Sequence, residues 1–160
     1  MKPELVPALE FPQEVASLFS EYTELLIAGD AFFREYLAIQ NYDAELCHLE
    51  TKYGPPAGRL YLAMADDAAA GCIGLKKIDE KRCEMKRLYV RPAFRGMRIS
   101  ELLIDRIIAD ARDIGYSHML LDTLPFLKSA IRIYRRYGFY EIPCYNDSPM
   151  DSSIYMQLDL

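Results

Sequence analysis

The sequence predicts a mixed α/β (α+β) fold. Helical periodicity fills the first fifty residues, three short apolar runs follow at strand length, and helices then alternate with strands to the C-terminus. With 160 residues, 51% of them hydrophobic, the chain buries on the order of 70% of its unfolded surface, enough for one core without staples. Residues 1–160 are therefore expected to form a single domain.

Val15, Leu18, Phe19, Tyr22, Leu25 and Leu26 recur at spacings of three and four, with Glu14, Glu21 and Glu24 opposite, so residues 13–28 predict an amphipathic helix stopped by Gly29. A second helical pattern starts at Phe33, Tyr36, Leu37 and Gln40 and runs through Leu46 and Leu49 until the prolines and glycines of residues 53–58 end it. Residues 59–65, 71–78 and 83–90 read as a strand meander. After Arg91-Pro92, the recurrence of Ile99, Leu103, Ile107, Ala111 and Ile114 predicts a long helix closed by Gly115. Residues 118–123 form a buried-strand pattern, Leu127, Ile131 and Tyr134 share one stripe of a helix ending at Gly138, and residues 139–145 and 153–158 complete the chain as two strands.

The formal charge is −5, from 24 acidic and 19 basic side chains, but it is divided unevenly. Residues 1–70 carry 12 acids and 4 bases (−8), and residues 71–160 carry 12 acids and 15 bases (+3). An acidic total argues against sequence-independent nucleic-acid binding, which depends on neutralising phosphates. No apolar run reaches the roughly 18 residues of a membrane span, and the N-terminus lacks a signal-peptide stretch, so no membrane partner and a cytoplasmic location are expected. Cys47, Cys72, Cys83 and Cys144 have no Cys-x-x-Cys spacing, and with only His48 and His118 no familiar zinc set can be written. The thiols read as packing groups, and no metal is expected.

Residues 80–100 hold Lys81, Arg82, Lys86, Arg87, Arg91, Arg95 and Arg98 against Glu80 and Glu84. A strand here runs into the turn Arg95-Gly96-Met97-Arg98 and then a helix start, which presents backbone N–H groups and the positive helix end to an anion such as a pyrophosphate. Neither a Walker loop nor a GxGxxG fingerprint is present.

The stretch from Glu84 through Val90-Arg91-Pro92-Ala93-Phe94-Arg95-Gly96-Met97-Arg98-Ile99-Ser100, followed by Ala130-Ile131-Arg132-Ile133-Tyr134-Arg135-Arg136-Tyr137-Gly138-Phe139, resembles the GNAT superfamily of acetyl-CoA-dependent N-acetyltransferases, over about residues 59–142. The resemblance implies a mostly antiparallel, mixed central sheet of about six to seven strands with about four helices. It implies acetyl-CoA as cosubstrate, held by Leu88, Tyr89 and Val90 along the pantetheine arm and by Arg95, Gly96, Met97, Arg98, Ile99 and Ser100 at the pyrophosphate. Arg98 and Ser100 stand where the family has small residues, and Leu127 where it commonly has Asn. If residue 98 is already helical, its β-carbon is tolerated, and its guanidinium is expected to swing outward to a phosphate.

The resemblance also assigns catalysis to Tyr134, as the acid that protonates the departing thiolate, and to Glu84, as the base that takes the proton of the amine. An amine of pKa about 10.4 is nucleophilic in only about one molecule in 2,500 at pH 7, so the base has work to do. On residue pattern alone Tyr134 also suits core packing, and Glu84 suits a Glu–Lys pair with Lys86 on a solvated strand. Acetyl transfer to a primary amine, by direct attack in a ternary complex, is the expected function; the acceptor is a small-molecule or peptide amine, and a homodimer stays open. The alternative is an acyl-CoA-binding sensor or interaction module without turnover. The acidic first half, with Tyr36, Tyr42 and Tyr53 interleaved, either steers a cationic acceptor or faces solvent on two helices.

Overall fold

The computed structural model describes residues 2–30, 34–35, 42–146 and 152–160. Its elements are β1 (Glu4–Pro7), α1 (Pro12–Gly29), α2 (Tyr42–Cys47), α3 (Leu49–Tyr53), β2 (Arg59–Ala65), β3 (Ala68–Lys77), β4 (Arg82–Val90), α4 (Ile99–Ile114), β5 (His118–Thr123), α5 (Lys128–Tyr137), β6 (Tyr140–Ile142) and β7 (Ile154–Asp159), with a 3₁₀ turn at Pro92–Phe94. The seven strands form one sheet in the order β1-β2-β3-β4-β5-β7-β6. Every neighbouring pair is antiparallel except β4 and β5, which are parallel.

Both sheet faces are covered, and the strands show why. Along β2, Tyr61, Ala63 and Ala65 join the core under α4, while Leu60 and Leu62 join the core under α1 and α3, the alternation expected of a strand buried on two sides. α4 supplies Ile99, Leu103, Ile104, Ile107, Ile108 and Ala111 to the first core, and Gly115, at φ +109°, ends the helix in the left-handed conformation that glycine adopts without penalty. α5 lies beside α4, tied by the Tyr137 hydroxyl donating to Asp105 Oδ1 at 2.6 Å. On the other face α3 approaches β3 closely because residue 74 is glycine; a β-carbon there would fall 2.7 Å from the Tyr53 ring.

The main elements follow the sequence pattern, with four differences. The four-residue β1 shows too short a pattern to be read. The second helical pattern breaks at His48 (φ −137°, ψ 62°) into α2 and α3, so five helices are present among the described residues; Phe33, Tyr36, Leu37 and Gln40 lie outside them. β3 starts at Ala68 rather than Gly71, and β6 ends at Ile142, three residues short of Tyr145.

Candidate active site

β4 and β5 are paired only at Arg82↔His118, Cys83↔Met119 and Glu84↔Leu120. Beyond Glu84 they part, although β4 stays paired with β3 as far as Val90. Met85–Val90 thus presents an open strand edge inside the sheet, with backbone donors and acceptors available to an extended amide-bearing ligand. The register of β3 with β4 moves from Gly74↔Lys86 to Cys72↔Tyr89, so Arg87 and Leu88 oppose the single residue Ile73. Arg87 carries this bulge at φ +60°, and its carbonyl accepts a hydrogen bond from the Cys72 thiol at 3.2 Å.

The open edge floors a groove of about 690 Å³. Leu88, Tyr89, Val90, Arg95, Gly96, Arg98, Ile99, Ser100 and Tyr134 all line it. Met97 does not; it packs against the core. Tyr22 and Leu25 of α1 and Phe126, Leu127, Lys128 and Ser129 at the start of α5 form the opposite wall, a set the motif pattern did not indicate. Leu127 is the N-cap residue of α5 and makes no side-chain cap bond. At the turn, Gly96 (φ +86°) and Arg98 (φ +60°, ψ 30°) are both left-handed. The expectation that residue 98 is already helical is therefore incorrect. It is the N-cap of α4, in the conformation where glycine is unstrained and an arginine is not, because the chain must reverse before the first helical turn. Its side chain is exposed, as expected.

The basic cluster of residues 80–100 is not one patch. Arg82 pairs with Asp79 and Arg91 with Glu21, each at 2.8 Å. Lys86 and Arg87 turn to a separate recess, leaving Arg95 and Arg98 as the arginines of this cluster that line the groove. That recess measures about 30 Å³ and shares four lining residues with the groove, Tyr22, Leu88, Leu127 and Tyr134.

Tyr134 is 7% exposed, packs on Phe139 and stands where the two cavities meet. It belongs to the core and also lines both cavities, so core packing does not remove it from the site. Burial raises its pKa above the usual tyrosine value, with Tyr22 and Asp122 adding to the rise, so the hydroxyl stays protonated. Glu84 and Lys86 share a face, with Nζ and Oε1 3.9 Å apart. Their strand is not solvated, however; the two residues are 5% and 8% exposed because helices and the loop after β6 cover that face. The Tyr145 hydroxyl donates to Glu84 Oε2 at 2.6 Å, and Glu84 itself does not line the recess.

Sequence reasoning missed a buried ion pair. Arg87 Nε donates to Glu45 Oε2 and Nη2 to Oε1, both at 2.9 Å. The Tyr53 hydroxyl donates to the same carboxylate at 2.7 Å, and Lys52 joins it. Burial raises the Glu45 carboxyl, but the charges and hydrogen bonds of Arg87 and Lys52 outweigh it and bring the pKa down to about 2. Two adjacent cations, Lys86 and Arg87, within one strand were the available signal, since a regular strand would send them to opposite faces. Tyr53 is fully buried rather than part of an acidic rim, and Tyr36 lies outside the described residues. None of the twelve acidic side chains of residues 1–70 lines either cavity, and most are exposed. Burial pushes the Cys72 and Cys83 thiols up to about 12, which keeps both as inert packing groups. Among the described residues, no group of three or more His, Cys, Asp or Glu could hold a metal ion, and no helix is long and apolar enough to cross a membrane.

Residues 17–139 match the Acetyltransferase (GNAT) family. An uncharacterized N-acetyltransferase of Schizosaccharomyces pombe is 36% identical over 97% of this chain and 94% of its own length. An acetyltransferase from Streptococcus agalactiae superposes with a TM-score of 0.78 over 100% of this chain and 99% of that one, at 22% identity. The PaiA N-acetyltransferase of Thermoplasma acidophilum, solved in complex with coenzyme A, superposes with a TM-score of 0.76 over the full length of both chains, at 18% identity. The parted β4 and β5, the left-handed turn at the start of α4 and these likenesses agree: the chain belongs to the GNAT family of acetyltransferases and is an acyltransferase.

Proposed function

We propose that residues 1–160 act as one unit that moves an acetyl group from acetyl-CoA to a primary amine, by direct attack within a ternary complex. The observation that carries this reading is that the open-edge groove and the recess adjoin, with Tyr134 and Leu88 lining both. One cavity suits an extended cosubstrate with an anionic end, and the other is where its acyl group would meet an acceptor. The coenzyme A complex of the PaiA neighbour supports the same cosubstrate.

Bound acetyl-CoA supplies the activated thioester. The backbone of Leu88, Tyr89 and Val90 pairs with the amide-bearing arm, and a preorganised N–H at this edge polarises the thioester carbonyl, an effect worth about 3 kcal/mol per donor in acyl-transfer sites. Arg95, Gly96, Arg98, Ile99, Ser100 and the Met97 backbone hold the pyrophosphate at the positive end of α4. Tyr134 gives its proton to the leaving sulfur. A thiol pKa of about 8.5 makes thiolate a tolerable leaving group, so this acid assists more than it enables. Glu84 takes the proton of the amine through the Tyr145 hydroxyl or a water. Direct transfer requires no nucleophilic side chain, consistent with Cys72 and Cys83 held as thiols.

Release of free thiol from acetyl-CoA across an amine panel tests this function. Amine-dependent release is the expected result; cofactor-induced stabilisation in a melting assay with no release on any amine would instead favour an acyl-CoA-binding module.

A further inference from the structure

Resting on the acetyl-transfer reading above, the charges inside the recess select a class of acceptor. Among the described residues, the charged ones that line it are Lys86, Arg87 and Asp122. Lys86 and Arg87 are consecutive, yet the bulge brings both to one recess. They are 8% and 5% exposed. Buried cations are costly unless opposite charge meets them. Glu84 and Glu45 meet them from outside the recess, at 3.9 and 2.9 Å, and neither lines it. Asp122 belongs to β5, where Asn146 Nδ2 donates to it at 3.0 Å, and it is close enough to Tyr134 to raise that residue's pKa. Among the described residues, the recess therefore has its cations on β4 and its carboxylate on β5, next to the tyrosine at the groove. Its 30 Å³ admits only small groups, so an acceptor that enters it is a small one.

We propose that the acceptor is a small amine carrying its own carboxylate, an amino acid, with the carboxylate toward Lys86 and Arg87 and the amine on the Asp122 side. A polycation would set a second ammonium against two buried cations at low dielectric, which disfavours it. The acidic first half of the chain does not oppose this, because none of its carboxylates reaches the recess.

The test measures thiol release with free α-amino acids, their carboxamides and spermidine, for the wild-type protein and for Lys86→Met and Lys86→Gln. The wild-type kcat/KM is expected to be about tenfold or more higher for the acids than for the matched amides, and lowest for spermidine. In a folded Lys86 variant the acid-to-amide ratio falls toward one. Equal or better turnover of amides or spermidine overturns the carboxylate assignment while leaving acetyl transfer standing, and so does a variant ratio equal to the wild-type one. Release with no amine at all, while acetyl-CoA still raises the melting temperature, overturns acetyl transfer and the acceptor class together.

Discussion

Glu45 of α2 and Arg87 of β4, 42 positions apart, form a bidentate ion pair in which both residues are 5% exposed. Arg87 is also the bulge residue at φ +60°, so the contact fixes α2 to the point where β4 turns its edge toward the groove. Replacing Glu45 by Gln leaves a buried guanidinium without its counter-charge. The expected cost is about 3 kcal/mol, read as a lower urea midpoint with an unchanged slope.

The same carboxylate makes folding sensitive to acid. Its pKa falls from 4.5 to about 2 in the folded state, so its contribution is complete above pH 4.5 and is lost as pH drops from there toward 2. About 3 kcal/mol of stability is at stake. Urea midpoints measured between pH 7 and pH 3 should show about 2 kcal/mol of this loss in the wild-type protein and less in Glu45→Gln.

Tyr134→Phe should lower kcat about tenfold and leave the KM for acetyl-CoA nearly unchanged. Because burial holds the wild-type hydroxyl protonated, the kcat profile should show no alkaline loss from this residue up to about pH 10. Wild-type turnover in the phenylalanine variant would remove the acid role.

Glu84→Gln should depress the rate most near neutral pH, where nearly all amine is protonated, and progressively less as pH approaches the pKa of the acceptor amine. A defect of the same size at every pH would argue for a packing role, in keeping with the hydrogen bond from Tyr145.

Arg98→Gly combines two effects of opposite sign. Relief of the left-handed conformation should stabilise the free protein by about 1 kcal/mol, or 2 to 4 °C in melting temperature. Loss of a charge-assisted phosphate contact should weaken coenzyme A binding about three- to tenfold. A titration showing unchanged or tighter binding would end the case for the contact.

Legibility in the sequence followed the range of the interaction that decides each feature. α1 and α4 were readable because a buried stripe repeats every turn within each segment, and α5 because an apolar stripe runs to Gly138, although Tyr134 is its one buried residue. The groove residues from Leu88 to Ser100 were readable because strand, turn and helix start are contiguous. His48 interrupts a pattern that periodicity alone would continue, and β1 is defined by pairing with β2 rather than by its four residues. Lys86 and Arg87 looked like members of a phosphate-binding cluster because charge counted along the chain says nothing about which cavity a side chain enters.

By itself, the sequence determined the alternation of helices and strands, the anion-suited turn before α4, the candidate tyrosine on α5 and the family these motifs resemble. The tertiary structure alone decided the bulge at Arg87, the partner Glu45 that holds it, the burial of Glu84 and the charges that line the recess. The physical reason is that periodicity and turn chemistry act between near neighbours in sequence. Strand register, ion pairing and the lining of a cavity arise between segments that meet only when the sheet is assembled.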